Sequence, residues 1–196
     1  MADRYNNKYR IETTRVAWHD YRGGSYFITV CTKDREPYFG LIEEGQMKYT
    51  DLGHSACDCL REIPSHFPDV EIPEFVVMPN HIHAIIIINT FVDPVETQNL
   101  ASQRNPQTQN FASLQQFDES QQKFGPQSRN LASVVRGFKI GVTKFANKND
   151  IPFAWQPRFH DHIIRDQNEM NQIVDYIMNN VSRWEDDCYN QNNLVK

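Results

Sequence analysis

The chain has 196 residues, 39% of them hydrophobic, and a formal net charge of −5. That length supports one domain with a substantial core, and the acidic sum argues weakly against a nucleic-acid partner unless charge is segregated locally. No run approaches the about 18 apolar residues of a membrane span, and the opening Met1-Ala2-Asp3-Arg4-Tyr5-Asn6 lacks a secretory leader's apolar stretch, so the expectation is a cytoplasmic protein with no membrane partner.

Residues 1–23 are polar with scattered aromatics and read as an N-terminal arm, in which Tyr5, Tyr9 or Trp18 could stack on bases or simply pack. Ser25-Tyr26-Phe27-Ile28-Thr29-Val30-Cys31-Thr32 is β-branched and aromatic, hence a strand. Phe39 to Lys48, with Gly40 and Gly45, fits a small hairpin. Thr50 or Asp51 caps an expected helix that runs through Leu60 to about Ile63 and ends at Pro64. Cys57-Asp58-Cys59, like Cys31 and Cys188, fits neither zinc nor redox spacing, so free thiols are expected. Val70–Val77 and His81–Asn89 read as two strands joined at Met78-Pro79-Asn80, an antiparallel pair.

Residues 91–130 contain nine Gln and four Asn, too polar to contribute a core, and read as an insertion. The element Asn99-Leu100-Ala101-Ser102 recurs at Asn110-Phe111-Ala112-Ser113 and Asn130-Leu131-Ala132-Ser133; only the third copy opens a helix, which runs to about Asn147. Its stripe is Leu131, Val134, Val135, Phe138, Val142 and Phe145. Gly137 and Gly141 weaken it or admit a close neighbour. Between Leu131 and Arg165 six basic residues face only two acids, Asp150 and Asp161, so one face of the molecule suits a polyanion. Phe159 to Arg165 is a further strand. His160 and His162 share a face there, either as an edge-strand surface pair or near a substrate.

A closing helix follows, with Asp166 as N-cap and Glu169 three residues on. Met170, Ile173, Val174, Ile177 and Val181 form its apolar stripe, while Gln172, Tyr176 and Asn180 line one side at four-residue spacing. Strand, helix, strand, strand, helix, strand and a last helix make an α+β chain of βαββαβ type. This is the ferredoxin-like arrangement: an antiparallel sheet with helices on one face, plus a C-terminal helix.

His81 and His83 carry the clearest chemistry. They sit two residues apart inside an Ile-rich strand, so both point to one face. Unpartnered burial of two imidazoles is costly, and two converging neutral rings can hold a divalent cation. A hard ion such as Mg²⁺ or Mn²⁺ needs oxygen as well; Asn180, on the helix that carries Tyr176, offers a carbonyl.

Tyr26-Phe27-Ile28-Thr29-Val30-Cys31-Thr32, Met78-Pro79-Asn80-His81-Ile82-His83, Val135-Arg136-Gly137-Phe138-Lys139 and Tyr176-Ile177-Met178-Asn179-Asn180 resemble the REP-associated branch of the HUH-type single-tyrosine transposases. The similarity runs from about Gly24 to Trp184, outside the Gln-rich insertion. It departs at Val181, where the branch usually has Pro. The resemblance implies a transposase domain over 24–184, followed by a tail over 185–196. It implies Tyr176 as catalytic nucleophile, His81, His83 and Asn180 as ligands of Mg²⁺ or Mn²⁺, and cleavage of single-stranded or hairpin DNA through a 5′-phosphotyrosine. Arg136, Lys139 and Arg165 would bind DNA, and His160, His162 and Gln172 lie near the site. The chain would act as monomer or homodimer. The alternatives are a non-catalytic DNA-binding regulator, a histidine-dependent nucleotide hydrolase (which usually needs a third His where Ile85 stands), and a metal-storage or structural domain.

Overall fold

The computed structural model describes residues 21–89 and 130–190. The arm up to residue 20 with Tyr5, Tyr9 and Trp18, the insertion over 91–129 with its two extra repeats, and the tail beyond 190 lie outside these residues.

β1 (Gly24–Cys31) and β6 (His81–Ile88) pair antiparallel at the centre of the main sheet, with β7 (His160–Ile164) on the far side of β1. The outer edge of β6 is covered by β4 (Val70–Glu71) and β5 (Phe75–Val77). The sequence suggests one strand over 70–77. It is broken because Glu71 faces Ile87 while Phe75 faces Ala84, so four steps on one strand oppose three on the other. Pro73 has no N–H to give the ladder, and the extra residue is absorbed there as a bulge. Counting β4 and β5 as one strand, the order is the ferredoxin-like one, fourth-first-third-second, all antiparallel. β2 (Gly40–Glu43) and β3 (Gln46–Tyr49) form the small hairpin; its turn residues Glu44 and Gly45 both take positive φ, 50° and 71°.

α1 (Asp51–His66) starts at Thr50, whose hydroxyl accepts from Gly53 N at 3.1 Å. It does not stop at Pro64. That residue falls in the last turn, where one missing N–H costs little, and Phe67 N still reaches Ile63 O at 2.9 Å. α2 (Leu131–Lys148) opens on a reciprocal cap between Asn130 and Ser133. α1 and α2 pack closely, since a Cβ at Gly141 would stand 3.0 Å from Cys59 Sγ. α3 (Gln167–Met178) starts at Asp166, which accepts from Glu169 N at 2.9 Å.

Strand alternation assigns the two faces of the sheet. Tyr26, Ile28, Val30, Ile82, Ala84, Ile86 and Ile88 pack with Leu60, Val134, Val135, Phe138 and Val142 in the main core under α1 and α2. The opposite face presents His81, His83 and Ile85. There Ile85, Ile164 and the α3 residue Ile177 form a second, smaller cluster with Phe27, Val76, Met170, Ile173 and Val174 around it. α3 therefore covers the face that carries the histidines. Among the described residues no helix is long and apolar enough to cross a membrane.

Candidate active site

β6 buries both imidazoles: His81 is 0% exposed and His83 2%. Their Nε2 atoms converge to 3.1 Å. Two nitrogens each about 2.1 Å from a shared ion, at a right angle, stand about 3.0 Å apart, so the pair already has the spacing of adjacent ligands.

Asn80 fixes the tautomer of His81. Its Nδ2 donates to Arg35 O at 3.1 Å and Tyr189 O at 2.8 Å, both acceptors only, so its Oδ1 must be the atom 2.8 Å from His81 Nδ1. A carbonyl oxygen cannot donate. His81 therefore carries its proton on Nδ1 and turns the Nε2 lone pair inward, the arrangement in which an outer hydrogen bond orients a metal-binding imidazole. Thr29 Oγ1 is 2.9 Å from His83 Nδ1 and, being a hydroxyl, serves either tautomer.

Burial pushes His83 down to about 4, against a hydrogen bond to the Ile28 backbone that works the other way. Burial, then His83 and the Arg35 guanidinium, hold His81 well below its ordinary value. Both rings are neutral at pH 7, as ligation requires.

α3 brings Tyr176 to this pair. Its hydroxyl lies 3.2 Å from His83 Nε2, and its ring meets His83 at a centroid distance of 5.2 Å. Phe27 wedges both groups, stacked on His83 at 5.1 Å and edge-on to Tyr176 at 6.0 Å. Tyr176 keeps 39% exposure, so an incoming group can reach it. Burial raises its pKa, opposed by a hydrogen bond from the Asn180 side chain; Asp187 and Cys188 raise it further. Asn180, one turn on, is 2% exposed, and its Oδ1 is buried without a hydrogen-bond partner. An orphaned buried carbonyl oxygen costs stability, and beside two neutral imidazoles it suits a hard cation. Among the described residues no three His, Cys, Asp or Glu side chains make a ready ligand set. Two imidazoles and an amide leave positions for water or phosphate, so the donor set fits an open Mg²⁺ or Mn²⁺ site.

The other predicted residues fall further out. Gln172 is exposed on α3 one turn before Tyr176. His160 and His162 are exposed on edge strand β7. His162 Nε2 bonds Glu169 Oε1 at 2.6 Å, tying the strand to the start of α3. Arg136 and Arg165 are exposed. Lys139 instead turns inward: Nζ donates to Gln156 O at 2.9 Å and Arg158 O at 2.6 Å and lies over the Trp155 ring. Burial pulls its pKa down to about 8.

No sequence pattern points to the segment after α3. Trp184 and Tyr189 flank His81, at centroid distances of 6.1 and 4.4 Å. Arg35 pins this strap through Nη1 to Cys188 O at 2.8 Å and through its guanidinium over the Tyr189 ring. Residues 185–190, assigned to a tail, thus wall the site. Asn80 and Thr29 lie inside the quoted motifs, and adjacency to His81 was the available clue for Asn80. Asp187 and Tyr189 sit in an irregular turn with no periodic pattern to expose them. The four cysteines are free, and burial raises Cys31 to about 11, which leaves it an inert thiol.

No family model matches the chain. A Haemophilus influenzae protein, described as uncharacterized, is 40% identical over 191 residues, spanning 95% of this chain and 97% of its own. The solved structure of a REP-associated tyrosine transposase bound to a REP hairpin superposes with a TM-score of 0.53 at 19% identity, over 88% of this chain and 74% of that one. The chain therefore belongs to the same family as the Haemophilus influenzae protein, and its fold is that of the REP-associated tyrosine transposase.

Proposed function

We propose that this chain is a metal-dependent transposase-type enzyme that nicks and rejoins single-stranded DNA, at hairpin-forming sites, through a 5′-phosphotyrosine on Tyr176. The observation that carries this reading is the 3.2 Å approach of the Tyr176 hydroxyl to His83, beside a second imidazole with its lone pair turned inward. The transposase of like fold is bound to a REP hairpin, which makes hairpin DNA the partner to test.

In this reading Tyr176 Oη attacks phosphorus, the bond to the 3′-oxygen breaks, and the enzyme keeps the 5′-phosphate while a 3′-hydroxyl leaves. A later 3′-hydroxyl reverses the step and releases the tyrosine, so no nucleotide is consumed. The phenol is mostly protonated at neutral pH and burial keeps it so. The Asn180 hydrogen bond stabilises the phenolate. A divalent ion held by His81, His83 and Asn180 Oδ1 would supply the positive charge that offsets both phenolate and phosphate. Arg136 and Arg165 bind flanking backbone phosphates, with Lys139 shaping the protein behind them.

Incubation of labelled single-stranded hairpin DNA with the protein and Mn²⁺, followed by a denaturing gel, tests this. Wild type is expected to give a covalent band, and Tyr176→Phe none, with hairpin affinity nearly unchanged. A normal adduct yield from Tyr176→Phe would remove the nucleophile; hairpin binding with no adduct from wild type would favour a DNA-binding regulator.

A further inference from the structure

While Leu131, Val134, Phe138 and Val142 carry α2 into the main core, Arg136, Ile140 and Lys144 follow one another at four-residue spacing on its outer side. Ile140 is 46% exposed. One exposed Ile is ordinary on any surface, but this one borders a cleft of about 340 Å³ between α2 and the chain entering β7. That volume is in the range of small-ligand sites. Buried Val135 and half-buried Phe159 lie at its floor, and exposed Arg136, Lys144 and Arg158 at its rim. Lys139 ties the two walls together. From α2 its Nζ donates to Gln156 O at 2.9 Å and Arg158 O at 2.6 Å, and Trp155 Nε1 donates back to Lys139 O at 3.2 Å.

Among the described residues, the lining carries four cationic side chains and no carboxylate, in a chain whose net charge is −5. Arg136 and Arg158 also have partners within the protein. The carbonyls on Lys139 carry no net charge to cancel its own, and Lys144 adds a further cation from an exposed position. A matching occupant is a polyanion that also brings a flat apolar part to Ile140 and Phe159. A single nucleic-acid strand offers both, phosphates along its length and an unstacked base. A duplex hides its base faces, and a run of acidic residues has carboxylates without the ring. The cleft also adjoins the face that carries the histidines. His160 follows Phe159 and pairs with Thr29, which pairs with His83 on its other side. Two strand spacings, about 10 Å, separate those two histidine backbones.

We propose that the cleft between α2 and β7 seats an unpaired nucleotide of a DNA strand, with the base on Ile140 and Phe159 and the phosphates on Lys144 and Arg158. This rests on the reading of the chain as a single-stranded DNA enzyme and adds a grip on the strand outside the Tyr176 centre.

Fluorescence anisotropy of a labelled oligothymidylate of about eight nucleotides, on the full-length protein with a chelator present, tests it. Ile140→Ser removes apolar surface from an exposed position without adding charge. It is expected to weaken binding about 5- to 10-fold while the thermal midpoint stays within a few degrees. An abasic strand of the same length is expected to bind wild type about 10-fold more weakly than the intact strand, and Ile140→Ser is expected to lose most of that difference. Lys144→Gln is expected to reduce the slope of log affinity against log salt by about 0.7. Full discrimination against the abasic strand in Ile140→Ser, or equal displacement of the strand by polyglutamate, would overturn the nucleotide seat. Wild-type affinity in both variants, with a normal covalent adduct from wild type, would overturn the cleft alone. No strand binding and no adduct from wild type would overturn both this proposal and the reading it rests on.

Discussion

The Asn80 side chain governs the chemistry of the site more than any ionisable group does. With both of its N–H bonds spent on backbone carbonyls, it can offer His81 only an acceptor, and this decides where the His81 lone pair points. His83 shows the cost of burying the pair. Unfolded, it takes up a proton below its ordinary 6.5; folded, it resists down to about 4. Between those values the unfolded chain binds more protons, so stability falls as pH drops and is regained as pH rises. The metal-free protein is expected to lose about 3 kcal/mol from this ring between pH 6.5 and 4. Urea unfolding across that range, compared with His83→Gln, reads it; a flat profile for wild type would contradict burial of a neutral ring.

At the level of elements, α3 matters because it delivers Tyr176. Its grip on the sheet is small, with Ile177 the one fully buried side chain of the helix, set between Ile85 and Ile164. Ile177→Ala is expected to cost about 2–4 kcal/mol in urea unfolding and to cut adduct formation more than DNA affinity, since the phenol loses its fixed approach. Equal losses in both would mean α3 is a binding element rather than a carrier. The elements were largely legible. A β-branched and aromatic run marked β1, an Ile-rich run marked β6, period 3.6 marked α2 and α3, and four-residue spacing put Tyr176 and Asn180 on one line. The bulge at Ile72–Glu74 and the continuation past Pro64 were not legible, because both depend on what the neighbouring strand or last helical turn tolerates.

Across the whole molecule, the sheet divides the labour. One face is sealed by α1 and α2 over a large apolar core, and the other, among the described residues, carries α3 and the strap around the site. Alternation in the sequence put His81 and His83 on one face of the strand; the structure shows that Ile82, Ala84 and Ile86 take the opposite face, in the main core. The sequence could not show that the chain returns after α3 to lay Asp187 and Tyr189 against His81. That return is made of single long-range contacts, Arg35 to Cys188 and Asn80 to Tyr189, which no local pattern encodes.

The central claim is that Tyr176 becomes covalently bonded to DNA, and tryptic mapping of the protein–DNA adduct tests it most directly. Cleavage after Arg165 and Arg183 isolates Tyr176 as the only tyrosine of its peptide and leaves Tyr189 on the next. Mass spectrometry is expected to find the 5′-phosphonucleotide on the 166–183 peptide at Tyr176. The modification on Tyr189 or on another residue, or cleaved DNA with no modified peptide, would contradict it.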